Sequence, residues 1–118
     1  MTEPTLVKIA SVVGSGICVA AEDGEKVYQV IHESLEKGEN VTLSFKGIED
    51  LTSVFLNAAI GPLYNEFSEE FLRAHMNPPK DASQQDLDTL KRCVVRAKEY
   101  YKNPERFQSA EAGVLGDD

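Results

Sequence analysis

The apolar positions of this chain change period several times, and each change marks an element. Residues 5–13, TLVKIASVV, are rich in β-branched side chains, and 17–20, ICVA, form a second short apolar run after Gly14-Ser15-Gly16. That pattern predicts a strand, a tight turn and a strand. From Glu22 the period lengthens. Val27, Val30, Ile31 and Leu35 share one helical face, Glu22, Asp23 and Glu25 crowd the first turn, and Gly38 stands at the C-cap, which together predict an amphipathic helix. In NVTLSF, 40–45, Val41, Leu43 and Phe45 alternate with polar neighbours, the signature of a strand.

Gly47 to Leu51 then reads as a short connection, and from Ser53 the residues Leu56, Ala59, Ile60, Leu63 and Phe67 return to helical spacing. Thr52 and Ser53 therefore stand at a helix start, where a hydroxyl oxygen can accept a hydrogen bond from a free backbone N–H. Pro62 has no N–H to offer Ala58 and disfavours helical geometry at Gly61, so this helix is expected to bend or break near its middle. Phe71 to Met76 reads as an edge strand ended by Asn77-Pro78-Pro79. SQQD, 83–86, has the form of a capping box and opens a helix carrying Leu87, Leu90, Val94, Ala97 and Tyr101 on one face, ended by Asn103-Pro104. Residues 108–118 hold small and acidic residues and read as a mobile tail.

This order predicts an α/β fold: a small mixed sheet of about four strands, with parallel β-α-β crossovers and an antiparallel N-terminal edge, packed with three helices. Leu43, Phe45, Leu56, Ile60, Leu63, Leu90 and Val94 are expected to share its core. A single domain over 1–107 fits the length, since 118 residues bury enough surface to need no staple. The net charge of −8 opposes binding to phosphate backbones and anionic lipid, which argues against nucleic acid and membrane partners. No apolar stretch reaches the roughly 18 residues of a membrane span, and Glu3 and Pro4 replace the basic and apolar regions of a signal peptide. A cytoplasmic protein is the expectation.

Catalytic and metal signatures are faint. Cys18 and Cys93 form no C-x-x-C pair, so neither a disulfide framework nor a zinc site is indicated. His32 and His75 show no ligand spacing and are expected at the surface or its boundary. Gly14-Ser15-Gly16 lacks both a third glycine and a following Lys-Ser/Thr, so it reads as a turn and not as a phosphate loop. Cys18 with His32 lacks a third orienting group, and a cysteine in an apolar run is ordinarily inert core. Tyr100, Tyr101 and Phe107 are expected at the core edge. No catalytic residue and no cofactor is indicated.

The stretch SFKGIEDLTSVFLNAAIGPLYNEF, 44–67, resembles the STAS-like domains, relatives of sulfate-transporter and anti-sigma-factor-antagonist domains. A strand runs through Phe45 into a turn at Gly47 and Ile48, a hydroxyl pair follows at Thr52 and Ser53, and a helix opens with Phe55 and Leu56. Asp23-Gly24 at the first helix and AKEYY at the last also fit, so the resemblance spans roughly residues 5 to 102. It implies a non-enzymatic signalling adaptor. The implied partner is a histidine-kinase-like ATPase or Ser/Thr kinase, docking through Gly47, Ile48, Asp50, Thr52, Ser53, Val54 and Phe55. The family's phosphoacceptor falls here on Val54 and its strand-end Asp on Ser44, so either phosphorylation has moved to Ser53 or Thr52, or it has been lost while the binding surface remains and the hydroxyl pair only caps the helix. An α/β sheet also forms a crevice at the carboxyl ends of its strands, so a small-ligand or nucleotide-binding domain is the alternative.

Overall fold

The computed structural model describes residues 3–102. The elements in chain order are β1 (Thr5–Lys8), α1 (Ile9–Val13), β2 (Ile17–Cys18), α2 (Ala21–Glu36), β3 (Val41–Ser44), β4 (Asp50–Leu51), α3 (Ser53–Ile60), α4 (Leu63–Glu66), α5 (Glu69–His75) and α6 (Gln84–Lys102). The α/β class agrees with the sequence expectation, but only β1, β2 and β3 fall on expected strands: β4 lies in the expected Gly47–Leu51 connection, the strands form two two-stranded pairs in place of one mixed sheet, and six helices among the described residues replace the expected three. The pairing differs. Every pair is parallel: β1 lies on β3 with Thr5 opposite Val41, and β2 lies on β4 with Ile17 opposite Asp50. The expected antiparallel edge between β1 and β2 does not form, because α1 intervenes and sends β2 to a different partner.

That helix occupies the second half of the expected strand 5–13. Its β-branched residues Ile9, Val12 and Val13 stand at i, i+3 and i+4, the spacing of a helical face, and Ile9 is buried with both valines packed against the core. Gly14 closes it with φ 88 and its N–H on Ala10 O at 2.8 Å, a left-handed cap that a glycine adopts at no steric cost. Packing has overridden β propensity here.

β3 is the centre of the sheet. All four of its residues are buried, as expected of a strand covered on both faces. Beyond its second edge, 76–80 runs parallel to it: Asn77 N–H bonds Val41 O, Lys80 N–H bonds Leu43 O, and Phe45 N–H bonds Lys80 O. The edge strand expected at Phe71 to Met76 is thus displaced toward the C-terminus, and those residues are mostly helix α5. Ser68 caps that helix by accepting the Phe71 N–H at 3.0 Å, Glu69 and Glu70 fill its first turn, and Arg73 and His75 its last. Each placement complements the helix dipole.

α2 begins one residue before the expected Glu22, buries Val27, Ile31 and Leu35, and leaves Val30 half-buried. It ends in a Schellman pair, Glu39 N–H to Ser34 O and Gly38 N–H to Leu35 O, with Gly38 at φ 78. The long helix breaks where Gly61 and Pro62 were expected to interrupt it: α3 stops at Ile60 and α4 restarts at Leu63. α2 and α3 form the principal helix–helix interface, and buried Gly24 is its closest point, where a Cβ would stand 2.3 Å from Phe55 O. Leu43, Phe45, Leu56, Ile60 and Leu63 are buried as expected. Leu90 and Val94 are only partly buried, because the inward line of α6 runs through Cys93 and Ala97. The tail at 108–118, the helix end at Asn103-Pro104 and Phe107 lie outside the described residues.

Candidate functional site

The strand-to-helix connection after β3 is held by a turn and by the chain on its other side. Ile48 N–H bonds Phe45 O at 3.2 Å across Lys46 and Gly47, and Gly47 has φ 84, a conformation that favours glycine. Buried Ser44 accepts the Lys46 N–H at 3.4 Å. Glu49 and Asp50 both direct their N–H groups to Gly16 O, at 2.8 and 3.1 Å. Gly16 has no room for a side chain: its Cβ would sit 2.4 Å from Gly47 O. The turn at 14–16 therefore serves as a backbone buttress for the loop. What the sequence presented as a plain connection, Gly47 to Leu51, contains β4.

Thr52 and Ser53 turn out to have different tasks. Thr52 is the N-cap of α3: its Oγ1 accepts the Phe55 N–H at 3.2 Å and donates to Val19 O at 2.9 Å, while its own N–H bonds Cys18 O. Its hydroxyl is committed in both directions. Ser53 is the first helical residue and is exposed, and among the described residues its Oγ makes no hydrogen bond. The first turn of α3 carries no acidic side chain, so the positive end of the helix dipole has no carboxylate on it.

Exposed aliphatic side chains lie next to Ser53 in the chain and on the β2 segment that pairs with its loop. Val54 is 56% exposed, and Ile17 and Val19 on the neighbouring β2 segment are 43% and 38% exposed. Gly47 and Asp50 are exposed and Ile48 is half-buried, so these expected partner-contact positions lie on the same loop. Phe55 does not reach this surface. Its side chain is fully buried, and it anchors the helix start to the core. The sequence reading missed Ile17 and Val19, since ICVA looks like a continuous core run. The signal was the alternation: Cys18 points in with no exposure, and its two neighbours point out.

The remaining reactive groups are quiet. Cys18 and Cys93 are free and buried. Burial raises the Cys18 thiol, with Asp23 and Asp86 adding to the effect, and burial raises Cys93 against the opposing pull of Arg96 and Arg92. A neutral thiol is a poor nucleophile. His32 is half-buried on α2, with Nδ1 3.5 Å from Glu36 and Nε2 3.4 Å from Glu66. His75 sits at the end of α5 with Nδ1 2.9 Å from Phe71 O. Tyr100 is 41% exposed and Tyr101 half-buried. Among the described residues no group of three or more His, Cys, Asp or Glu side chains is arranged to hold a metal, and no helix is long and apolar enough to cross a membrane.

Comparison with protein families finds one model matching residues 23–86, described as a STAS-like domain of unknown function (DUF4325). Neither curated proteins nor solved structures give a match. The matched span runs from Asp23 to Asp86 and takes in α2, β3, the Gly47–Thr52 loop and α3 to α5. It covers more than half of the chain, and with the parallel α/β core and the strand-to-helix hydroxyl pair in place, the chain belongs to the STAS-like family.

Proposed function

We propose that this chain is a non-enzymatic regulatory adaptor that binds a partner protein through the face formed by the Gly47–Val54 loop with Ile17 and Val19. The supporting observation is one exposed, unengaged hydroxyl, Ser53, at a helix start, with exposed aliphatic side chains on Val54 next to it in the chain and on Ile17 and Val19 of the segment that pairs with the loop. Exposed aliphatics grouped around one point are the usual mark of a docking surface. Phosphorylation of Ser53 would add nearly two negative charges there. The dipole end of α3 tolerates that charge, so its effect falls on the partner through desolvation and repulsion. Thr52 is the poorer acceptor, because phosphorylating it removes both the cap and the bond to Val19 O. The partner class follows the family resemblance: a histidine-kinase-like ATPase or a Ser/Thr kinase.

Native co-purification with the tagged full chain tests this. Recovery of a partner of either type is expected with wild type and Ser53→Ala, and its loss with Ser53→Asp and Val54→Glu. Equal recovery on all four proteins would place the docking surface elsewhere, and recovery of neither type would refute the partner class.

A further inference from the structure

Beyond the Gly61–Pro62 break from Ser53, a cleft of about 450 Å³ opens between the α4–α5 corner and α6. That volume lies within the range of small-molecule sites. Its lining includes the aromatic residues Tyr64, Phe67, itself stacked on Phe71, and Tyr101, together with the cations Arg73 and Lys98. Both cations converge on one oxygen: Glu69 Oε2 is 2.9 Å from Arg73 Nη2 and 3.3 Å from Lys98 Nζ. Glu70 completes the rim, so its formal charge is balanced and an entering anion has to compete with Glu69. Tyr64 also lines a second, apolar space of about 110 Å³, whose lining includes Leu63, Leu72, Leu90 and Val94. Burial, and then the Glu69 charge, raise the Tyr64 phenol above its ordinary value against the opposing pull of Arg73, and its hydroxyl can donate a hydrogen bond.

We propose that this cleft binds a small ligand consisting of a flat ring with one anionic group. The ring lies against Tyr64, Phe67 and Tyr101, where offset or edge contacts between aromatic systems are favourable. The anionic group takes the place of the Glu69 carboxylate between Arg73 and Lys98, and Arg73 offers it the forked donors suited to carboxylate or phosphate. Glu69 in the ligand-free state is therefore an internal stand-in for the ligand's anion. The site is separate from the proposed docking face and does not depend on it.

The test is an amide-resolved NMR titration of the full chain with phenylacetate, with AMP and with inorganic phosphate. Saturable shifts centred on Tyr64, Phe67, Arg73 and Lys98 are expected with at least one ring-bearing anion, and whichever of the two binds shows whether carboxylate or phosphate is preferred. Glu69→Gln removes the competitor and keeps the size, so affinity should rise roughly tenfold, the scale of one charge-assisted hydrogen bond. Arg73→Ala and Lys98→Met should each weaken binding by a similar factor. No saturable shift with either ring-bearing probe overturns the proposal. Inorganic phosphate binding as tightly as AMP overturns the role of the rings, and an affinity that ignores Glu69→Gln and Arg73→Ala overturns the role of the rim.

Discussion

At the residue scale, two adjacent hydroxyls that look equivalent in sequence do different things. Thr52 closes a three-way junction between the Val19 carbonyl, the α3 start and β4, whereas Ser53 contributes only its backbone to the fold. Thr52→Ala should therefore cost about 1 kcal/mol or somewhat more, the cap together with the lost bond to Val19 O. Ser53→Ala should stay within about 0.5 kcal/mol of wild type, as exposed substitutions usually do. Urea unfolding of the two variants side by side checks this, and equal losses would mean that Ser53 shares the cap. Glycines show the same dependence on surroundings. Gly24 lies in the first turns of α2, where alanine ordinarily stabilises a helix by about 0.5–1 kcal/mol. Here the added methyl meets Phe55 O, and the sign reverses: Gly24→Ala should destabilise by roughly 1–3 kcal/mol through forced separation of α2 and α3. An unchanged denaturation midpoint would show that the two helices part freely.

Elements were legible where one period ran without competition. α2 and α6 have long amphipathic patterns with acidic starts; α2 appears close to its expected bounds and α6 starts where expected. β3 reads equally well. The misreadings fall on short apolar segments, where strand and helix compositions overlap. Ile9 to Val13 holds three β-branched residues, yet their spacing also matches a helix face, and docking on the core selected the helix. Phe71 to Met76 carried its own helix-start signal in Ser68-Glu69-Glu70, which the following prolines obscured. Burial by element also ranks the consequences of truncation. Phe45 is 2% exposed, so Phe45→Ala should cost about 3–5 kcal/mol. Leu90→Ala should cost distinctly less, because Leu90 is only partly buried on the flank of the α6 contact. Thermal unfolding of the pair gives the order directly, and equal losses would mean that α6 docks more deeply than it does here.

For the whole molecule, five phenols and thiols share one displacement. Cys18, Cys93, Tyr28, Tyr64 and Tyr101 are all raised above their ordinary values, with burial the largest cause in each. Unfolding releases these groups to ionise at lower pH, so above about pH 9, the ordinary value of a thiol, the unfolded state binds fewer protons than the folded one. Stability should therefore fall as pH rises through 9 to 10 and beyond. Melting temperatures measured across that range check it, and a flat profile would mean that these groups titrate alike in both states.

The sequence by itself determined the α/β class, the two long helices, the break at Gly61–Pro62, most of the core and the position of the strand-to-helix loop with its hydroxyl pair. Each of these is written locally, in a period, a cap or a residue with restricted backbone geometry. Only the tertiary structure decided that β2 pairs with β4, because a parallel partner is chosen by packing between distant segments. That pairing set Ile17 opposite Asp50, bonded the Thr52 hydroxyl to the Val19 carbonyl and turned Gly16 into a buttress. It depends on segments more than thirty residues apart approaching within hydrogen-bond distance, and no local pattern encodes such an approach.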